Sequence, residues 1–543
     1  MTNESKRLLG HVHYDGNLRS NDEIEFLILE KDCERIGSNK YVKIISKYGS
    51  KREYIGRICA GPFYIPEELS RDSALTQTSI LYGDKFPHVP PYFGLGRILL
   101  LGEYVNGRLE NLSDRPIPQS EVMDLDASEI SSLLLPTDNV DMIWGYLAGY
   151  PEVKVLSPSS DKRLLPRNIG IFGTVGSGKT NSSQVVIEEA VKAGYAVIVV
   201  DVEGEYVSMN SASTETILHP ILKDFGIQPE GVSDFQVFHP ASTEPNSSIS
   251  QPFSVKTNEI DILNLAELIE ATEAQERRLF DVMDTIKAKF DGPHREHKLS
   301  QHAREPGLSE AITGNSCRYK YDLKDIIEWT KRKAEEKTGA DRSSFYALLG
   351  KLNRLYRTEC FDVTGIPSLN MSQMIQPGRL SIIDVSDCYN DSLKNIIIFT
   401  TLRKVFDFKL NLESQNIKTL VVIEEAHSFI SKDKVKSMQE TLDVLREIAR
   451  RGRKRWLGLC FISQQPSHIP NEIFELCNTR IIHNLKSQQN LNALRYTSGE
   501  VTEDLWQAVS CLSAGSALVS SPAFRNSIVM RFRPSKTARK YVD

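Results

Sequence analysis

No run of about 18 apolar residues occurs anywhere in this 543-residue sequence, which excludes a membrane-spanning helix. The opening stretch, MTNESKRLLGHVHYDGN, lacks the apolar segment of a secretory signal. Cysteine is sparse: the eight are Cys33, Cys59, Cys317, Cys360, Cys388, Cys460, Cys477 and Cys511. None stand in C-x-x-C spacing, so neither a zinc ribbon nor a disulfide framework is expected. The expectation is a reduced, cytoplasmic protein with no membrane partner. Net charge is small as well. Lys and Arg number 66 against 71 Asp and Glu, leaving −5, which excludes a wholly basic nucleic-acid coat but allows a local basic patch or lined channel. With 40% hydrophobic and 25% charged residues, disorder over most of the chain is excluded, and a chain this long buries a core without disulfide or metal staples.

What is present changes character along the chain. Residues 1–120 carry short alternating runs broken by Gly and Pro, such as Glu25–Leu29, Lys40–Ile45, Tyr54–Ile58 and Arg97–Leu101. That texture predicts a small N-terminal β-barrel or sandwich. Residues 121–165 read as a connector with one short helix. From Asn168 on, continuous apolar runs alternate with long helical patterns: Asn168–Phe172, Ala196–Asp201, Leu380–Val385, Leu420–Glu424 and Leu457–Ser463. Strands of this kind belong to a mostly parallel sheet covered on both faces. Arg480–Leu485 and Ser527–Arg533 are expected to extend its edge. Residues 260–360 have helical periodicity and many charges, and they read as an α-helical insertion that splits the α/β domain into 166–259 and 361–543. Its polar stretch 291–315 is expected to be a mobile loop.

The sharpest signal is Gly173-Thr-Val-Gly-Ser-Gly-Lys179-Thr180, a full G-x-x-x-x-G-K-[ST] match between an apolar strand and a helix. Gly173, Val175, Gly176, Ser177 and Gly178 are expected to curl backbone N–H groups around phosphates at the helix start. Lys179 would neutralise the β- and γ-phosphate charge, and the Thr180 hydroxyl would reach Mg²⁺. The cofactors implied are therefore ATP and Mg²⁺. A second strand ends in Glu424 and Glu425; one acid suits the metal's water shell and the other the attacking water, and these roles are assigned to Glu424 and Glu425 respectively. His427 reads more as a satisfied helix-start histidine than as a catalytic group. Asp201-Val-Glu203-Gly-Glu205-Tyr206 closes another strand, where an acid faces the nucleotide crevice. Gln464, at a further strand end, can report a γ-phosphate through its amide. Basic groups gather at Arg450-Arg451-Gly452-Arg453-Lys454-Arg455, with Arg167 before the first strand of the α/β domain; in an oligomeric ATPase such a run can supply an arginine finger in trans. The alternating lysines of Ser431–Ser437 would suit phosphate contacts in a pore, although a solvated surface explains them as well.

In their order along the chain, GTVGSGKT, DVEGEY, a helical insertion, VIEEAH, IARRGRK and ISQQPS resemble the HerA-like branch of the FtsK–HerA ring ATPases. The resemblance implies a RecA-like P-loop ATPase domain with an N-terminal small β-barrel, assembled as a hexameric ring with ATP sites between subunits and a central channel for double-stranded DNA. Carried over position by position, Lys179 and Thr180 hold phosphate and metal, Asp201 matches an acid of the family, Glu425 its catalytic glutamate and Gln464 its sensor glutamine. Arg167 and Arg450 fall where the family places cations that complete the site, with Arg453 a near alternative. Glu424 stands where many P-loop ATPases carry Asp, and Gln465 and Arg451 replace residues often Arg and Glu. The barrel of this family docks a partner, commonly a nuclease, and similar ATPases of antiviral defence pair with sirtuin-like NAD-consuming effectors. Two functions are thus in view: a DNA translocase or helicase, and a ring scaffold that assembles and regulates an effector. This chain carries neither a nuclease nor an NAD motif, so an effector would be a separate protein. A metabolic P-loop kinase is disfavoured, because no acceptor pocket is evident and the barrel would have no role.

Overall fold

The computed structural model describes residues 8–540 except 15–21, 38, 47–51, 67–91, 292–320, 389–390, 433–438 and 500. The chain forms two compact units. One holds residues 1–158, 502–508 and 523–531; the other holds 159–501, 509–522 and 532–543.

In the first unit, β1 (Leu8–His13), β2 (Glu23–Leu29), β3 (Tyr41–Ile45), β4 (Glu53–Pro66), β5 (Tyr92–Val105), β6 (Arg108–Glu110) and β7 (Glu121–Asp124) run in the order β2-β1-β7-β3-β4-β5-β6. A further pairing of β2 with β5 closes the first six of these into a barrel and leaves β6 appended. Alternation drives the closure. Ile24, Phe26 and Ile28 of β2 turn inward onto Val42, Ile44, Ile58, Ile98 and Val122, while Glu25 and Leu29 of β2 face outward. Gly96 sits opposite Phe26, where a Cβ would come within 2.2 Å of the ring, so only glycine lets the phenyl fill the barrel. The barrel therefore ends at Asp124, and the segment read as a connector from residue 121 begins with a barrel strand. The remainder of that segment is also more ordered than a connector: α1 (Ala127–Leu134), fixed by an Asp126–Glu129 capping box, and the antiparallel hairpin β8 (Met142–Leu147)–β9 (Tyr150–Ser157).

The second unit is built on a twisted sheet in the order β13-β12-β14-β11-β15-β16-β10-β17-β18. Its strands are β10 (Ile169–Phe172), β11 (Ala196–Asp201), β12 (Phe235–Pro240), β13 (Ser250–Phe253), β14 (Leu380–Asp384), β15 (Thr419–Ile423), β16 (Leu457–Ser463), β17 (Thr479–Ile482) and β18 (Ser516–Ser520). All pairs from β13 to β17 are parallel, and β17–β18 is antiparallel. Every residue of β10, β11, β14, β15 and β16 is buried, as expected of strands covered on both faces. This is the mixed α/β, RecA-like architecture expected from the sequence. The helices that matter here are α2 (Lys179–Lys192) after β10, then α3 (Ile262–Leu268), α4 (Glu273–Asp291), α5 (Leu323–Glu336) and α6 (Gly339–Tyr356) of the insertion, α7 (Asp391–Leu410), and α8 (Gln439–Arg451). The polar stretch 291–315 and most of Ser431–Ser437 lie outside the described residues. Among the described residues, no helix is long and apolar enough to cross a membrane.

Candidate active site

Parallel register decides which side chains meet. Phe172 of β10 pairs with Ser463 of β16 on one side and with Ile482 of β17 on the other. The next residue of each strand, Gly173, Gln464 and His483, therefore emerges at the same carboxyl edge, the usual ligand side of such a sheet. Likewise Val200 of β11 pairs with Ile423 of β15, which sets Asp201 beside Glu424.

The loop after β10 is a phosphate cradle by construction. Gly178 precedes α2 in the left-handed region at φ 107°, and α2 has no side-chain cap on its first N–H groups. A Cβ at Gly178 would lie 2.8 Å from the Gly515 nitrogen, so glycine is required for space as well as conformation. The uncapped N–H groups and the helix dipole leave a ready anion site. Ser177 Oγ donates to the Thr174 carbonyl at 2.6 Å, and Lys179 Nζ donates to the same carbonyl at 3.0 Å. Lys179 is buried, and burial lowers its ammonium pKa against the opposing pull of Glu425, Glu205, Glu424 and Glu203. Val175 stands at the loop tip, 81% exposed.

The acids facing this lysine divide into two kinds. Asp201 is fully buried and accepts from the backbone N–H groups of Gly204, Glu205 and Tyr206 at 2.7, 3.2 and 2.9 Å, so it shapes the loop after β11. Glu424 accepts from the N–H groups of Val202 and Glu203, both at 3.2 Å. Burial pushes Asp201 up to about 6 and Glu424 well above the carboxylate range; a proton on Glu424 donated to Asp201 satisfies both. Glu425 is different. Its backbone is left-handed at φ 45°, a strained conformation for a side-chain-bearing residue. Gln464 Nε2 donates to Glu425 Oε1 at 2.6 Å. His427 Nδ1 lies 2.9 Å from Oε2, yet that buried oxygen has no in-line hydrogen-bond donor. Burial raises the Glu425 carboxyl, and the His427 and Gln464 contacts with the Lys179 charge outweigh it, leaving the group below its ordinary value and ionised. An ionised carboxylate with one oxygen held by Gln464 and the other beside His427 is equipped to accept a proton from water.

The predicted cations gather elsewhere. Arg167, Arg450 and Arg453 line one cavity of about 420 Å³ together with Lys162 and Lys454, and Glu475 is its acidic residue. None of the three arginines makes a salt bridge among the described residues. The lining includes none of Lys179, Thr180, Glu424, Glu425 or Gln464. The structure thus brings Lys179, Asp201, Glu424, Glu425 and Gln464 together and sets Arg167, Arg450 and Arg453 apart as a second group. Sequence reasoning favoured a helix-start role over a catalytic one for His427 and did not single out His483. Its signal was its place directly after Ile481-Ile482, one residue beyond the end of β17.

A phosphate cradle after the first strand of a RecA-like sheet, with paired acids on one neighbouring strand and a polar sensor on another, defines a P-loop ATPase. Comparison with known proteins narrows the class. Residues 145–405 match the family model described as the central domain of the HerA helicase. The chain is 22% identical to the DNA double-strand break repair helicase HerA of Pyrococcus furiosus, over 78% of this chain and 75% of that protein. It is 23% identical to a probable helicase of Methanocaldococcus jannaschii, over 92% of this chain and 91% of that one. Among solved structures, the bacterial conjugative coupling protein TrwB aligns at 12% identity and a TM-score of 0.49, covering 77% of this chain and 94% of that chain.

Proposed function

We propose that this ATPase works as a hexameric ring in which each ATP site is completed by the neighbouring copy, and that Mg²⁺-dependent hydrolysis drives double-stranded DNA through the ring. The observation that carries this reading is the separation of the two charged groups: the phosphate cradle and its base on one hand, the Arg167–Arg450–Arg453 cavity on the other. Transition-state charge on a γ-phosphate needs a guanidinium close by. A cavity whose three arginines make no salt bridge among the described residues, apart from the cradle of its own chain, suits the phosphate of an adjoining one.

Within the cradle, α2's N–H groups and Lys179 bind the triphosphate. The oxygen-rich set around Lys179 suits a hard divalent cation, with the Thr180 hydroxyl as a direct ligand and Glu424, once its proton leaves, holding the metal's water. Mg²⁺ there would neutralise phosphate charge. Glu425 Oε2 takes the proton of the attacking water. Gln464 is bonded to Glu425 Oε1, so its turning toward a γ-phosphate would link phosphate sensing to the orientation of the base.

DNA as the cargo rests on the HerA helicase named among the relatives. The barrel would dock an effector such as a nuclease or a sirtuin-like enzyme. Leu29, Phe63 and Tyr64 are 62%, 50% and 59% exposed there, on the two strands flanking β5, and such apolar surface on a barrel suits a partner. The test is ATP turnover with and without linear double-stranded DNA, alongside displacement of a third strand ahead of the moving ring. DNA-stimulated turnover with displacement supports translocation. Turnover indifferent to DNA, with no displacement even when the partner is bound, contradicts it.

A further inference from the structure

We propose that His483 is a positioning residue for ATP hydrolysis: its imidazole holds the first turn of α2 in place through the Ser182 hydroxyl. The backbone brings it there. The His483 N–H donates to the Phe172 carbonyl at 2.8 Å, immediately before the phosphate-binding loop. A Cβ at Gly173 would lie 2.7 Å from the His483 Cβ, so the loop's first glycine lets the two chains lie this close.

The ring's hydrogen bonds assign its tautomer. His483 is fully buried, and its Nδ1 lies 2.9 Å from the Ser516 carbonyl. A carbonyl only accepts, so Nδ1 carries the proton and Nε2 is a bare acceptor. Nε2 lies 2.5 Å from Ser182 Oγ, whose single proton it receives. Burial, with the Lys179 charge adding to it, lowers the ring to about 4, which keeps Nε2 unprotonated at neutral pH.

The consequence falls on the catalytic loop. Ser182 Oγ also lies 2.9 Å from the Gly178 carbonyl and 3.2 Å from that of Lys179. A hydroxyl that back-bonds to the preceding turn tends to bend a helix. With His483 in place the Ser182 proton is drawn away from those carbonyls, which belong to the residues that set the Lys179 ammonium and Thr180 hydroxyl. The segment that orients His483 also backs the loop directly, since the Gly515 N–H donates to the Ser177 carbonyl at 3.0 Å. The His483 backbone and ring pack beside Gly173 and Gly178, and the ring's hydrogen bond to α2 runs through Ser182.

The experiment is steady-state ATP hydrolysis by the full chain carrying His483→Leu, His483→Gln, Ser182→Ala and the Leu/Ala double substitution. Thermal unfolding of each variant is measured alongside. A loss of folded protein alone would lower turnover and leave KM unmoved. The proposal expects KM for ATP to rise about tenfold in His483→Leu and in Ser182→Ala. The double variant should be no worse than either single, because both remove one interaction. His483→Gln, whose side-chain oxygen can still accept from Ser182, should return KM to within about threefold of wild type. A KM within about twofold of wild type in both single variants, or fully additive effects, overturns the proposal. If His483→Leu does not fold, Ser182→Ala and His483→Gln decide the matter on the same criteria.

Discussion

Replacing Arg533 with Met should destabilise the ATPase unit by about 3 kcal/mol, at the lower end of the range for a broken buried ion pair. Arg533, far from α2 in sequence, is fully buried against it, with Nη1 2.8 Å from Glu188 Oε2 and Nη2 2.8 Å from Glu189 Oε1. Both carboxylates are buried too, so removing the guanidinium strands two negative charges away from water. Part of the cost is offset. Glu188 Oε1 keeps donors from Lys536 N at 2.9 Å, Thr537 N at 3.0 Å and Thr537 Oγ1 at 2.8 Å. Glu189 keeps Lys192 at 3.2 Å, but that lysine is half exposed and its pull is screened by solvent. Methionine fills the volume of the lost stem, so the loss is electrostatic rather than a cavity. Urea unfolding of the full chain, followed by a probe in the ATPase unit, measures it. Combining Arg533→Met with Glu188→Gln and Glu189→Gln should recover much of the loss, because no bare carboxylate remains. A single variant within about 1 kcal/mol of wild type, or a neutralised triple variant less stable than the single, would refute the reasoning.

Lys179→Ala should lose nucleotide binding, whereas Glu425→Gln should bind ATP normally and turn over on the order of 10²-fold more slowly; calorimetric binding and single-turnover hydrolysis separate the two. His427→Phe should shift the acid limb of the turnover–pH profile to higher pH. His427 is among the groups that hold the Glu425 carboxyl below its ordinary value, and without it the base protonates sooner as pH falls. His483 should give the fold an acid-sensitive slope. Its folded value, about 4, lies below the unfolded one, so its contribution is complete above the unfolded pKa and is lost as pH falls toward 4. The loss amounts to about 3 kcal/mol at most, and His483→Gln should flatten that part of the stability–pH curve.

The parts legible in the sequence were those that local pattern determines. The apolar runs AVIVVD and LGLCFIS are strands end to end, because central parallel strands leave no polar face to disguise them. The strands missed were those without that signature. β12 and β13, FQVFHP and SQPF, mix polar residues with proline and lie at the far edge of the sheet. The hairpin β8–β9 was read as a connector, since its pattern is interrupted by register shifts at Gly145 and Leu147. At the site, motifs named Lys179, Glu425 and Gln464, but their coupling depends on which strands lie side by side. The Gln464–Glu425 bond spans 39 residues, the His483–Ser182 bond 301 and the Arg533–Glu188 bond 345. No local pattern encodes such pairings. The same holds for the basic cavity, where Arg167 meets Arg450 and Arg453 from a distant segment.

The central claim, that one copy completes the ATP site of the next, is tested most directly by mixing two inactive proteins. One carries Glu425→Gln and an intact Arg450 and Arg453; the other carries Arg450→Ala and Arg453→Ala with an intact Glu425. Subunit exchange is followed by fluorescence transfer, and ATP turnover is read across mixing ratios. Intact composite sites should appear wherever the second protein's cradle meets the first protein's arginines, so turnover should exceed that of either parent and peak at intermediate ratios. Turnover that never rises above the parents, in assemblies shown to have exchanged subunits, would contradict the account.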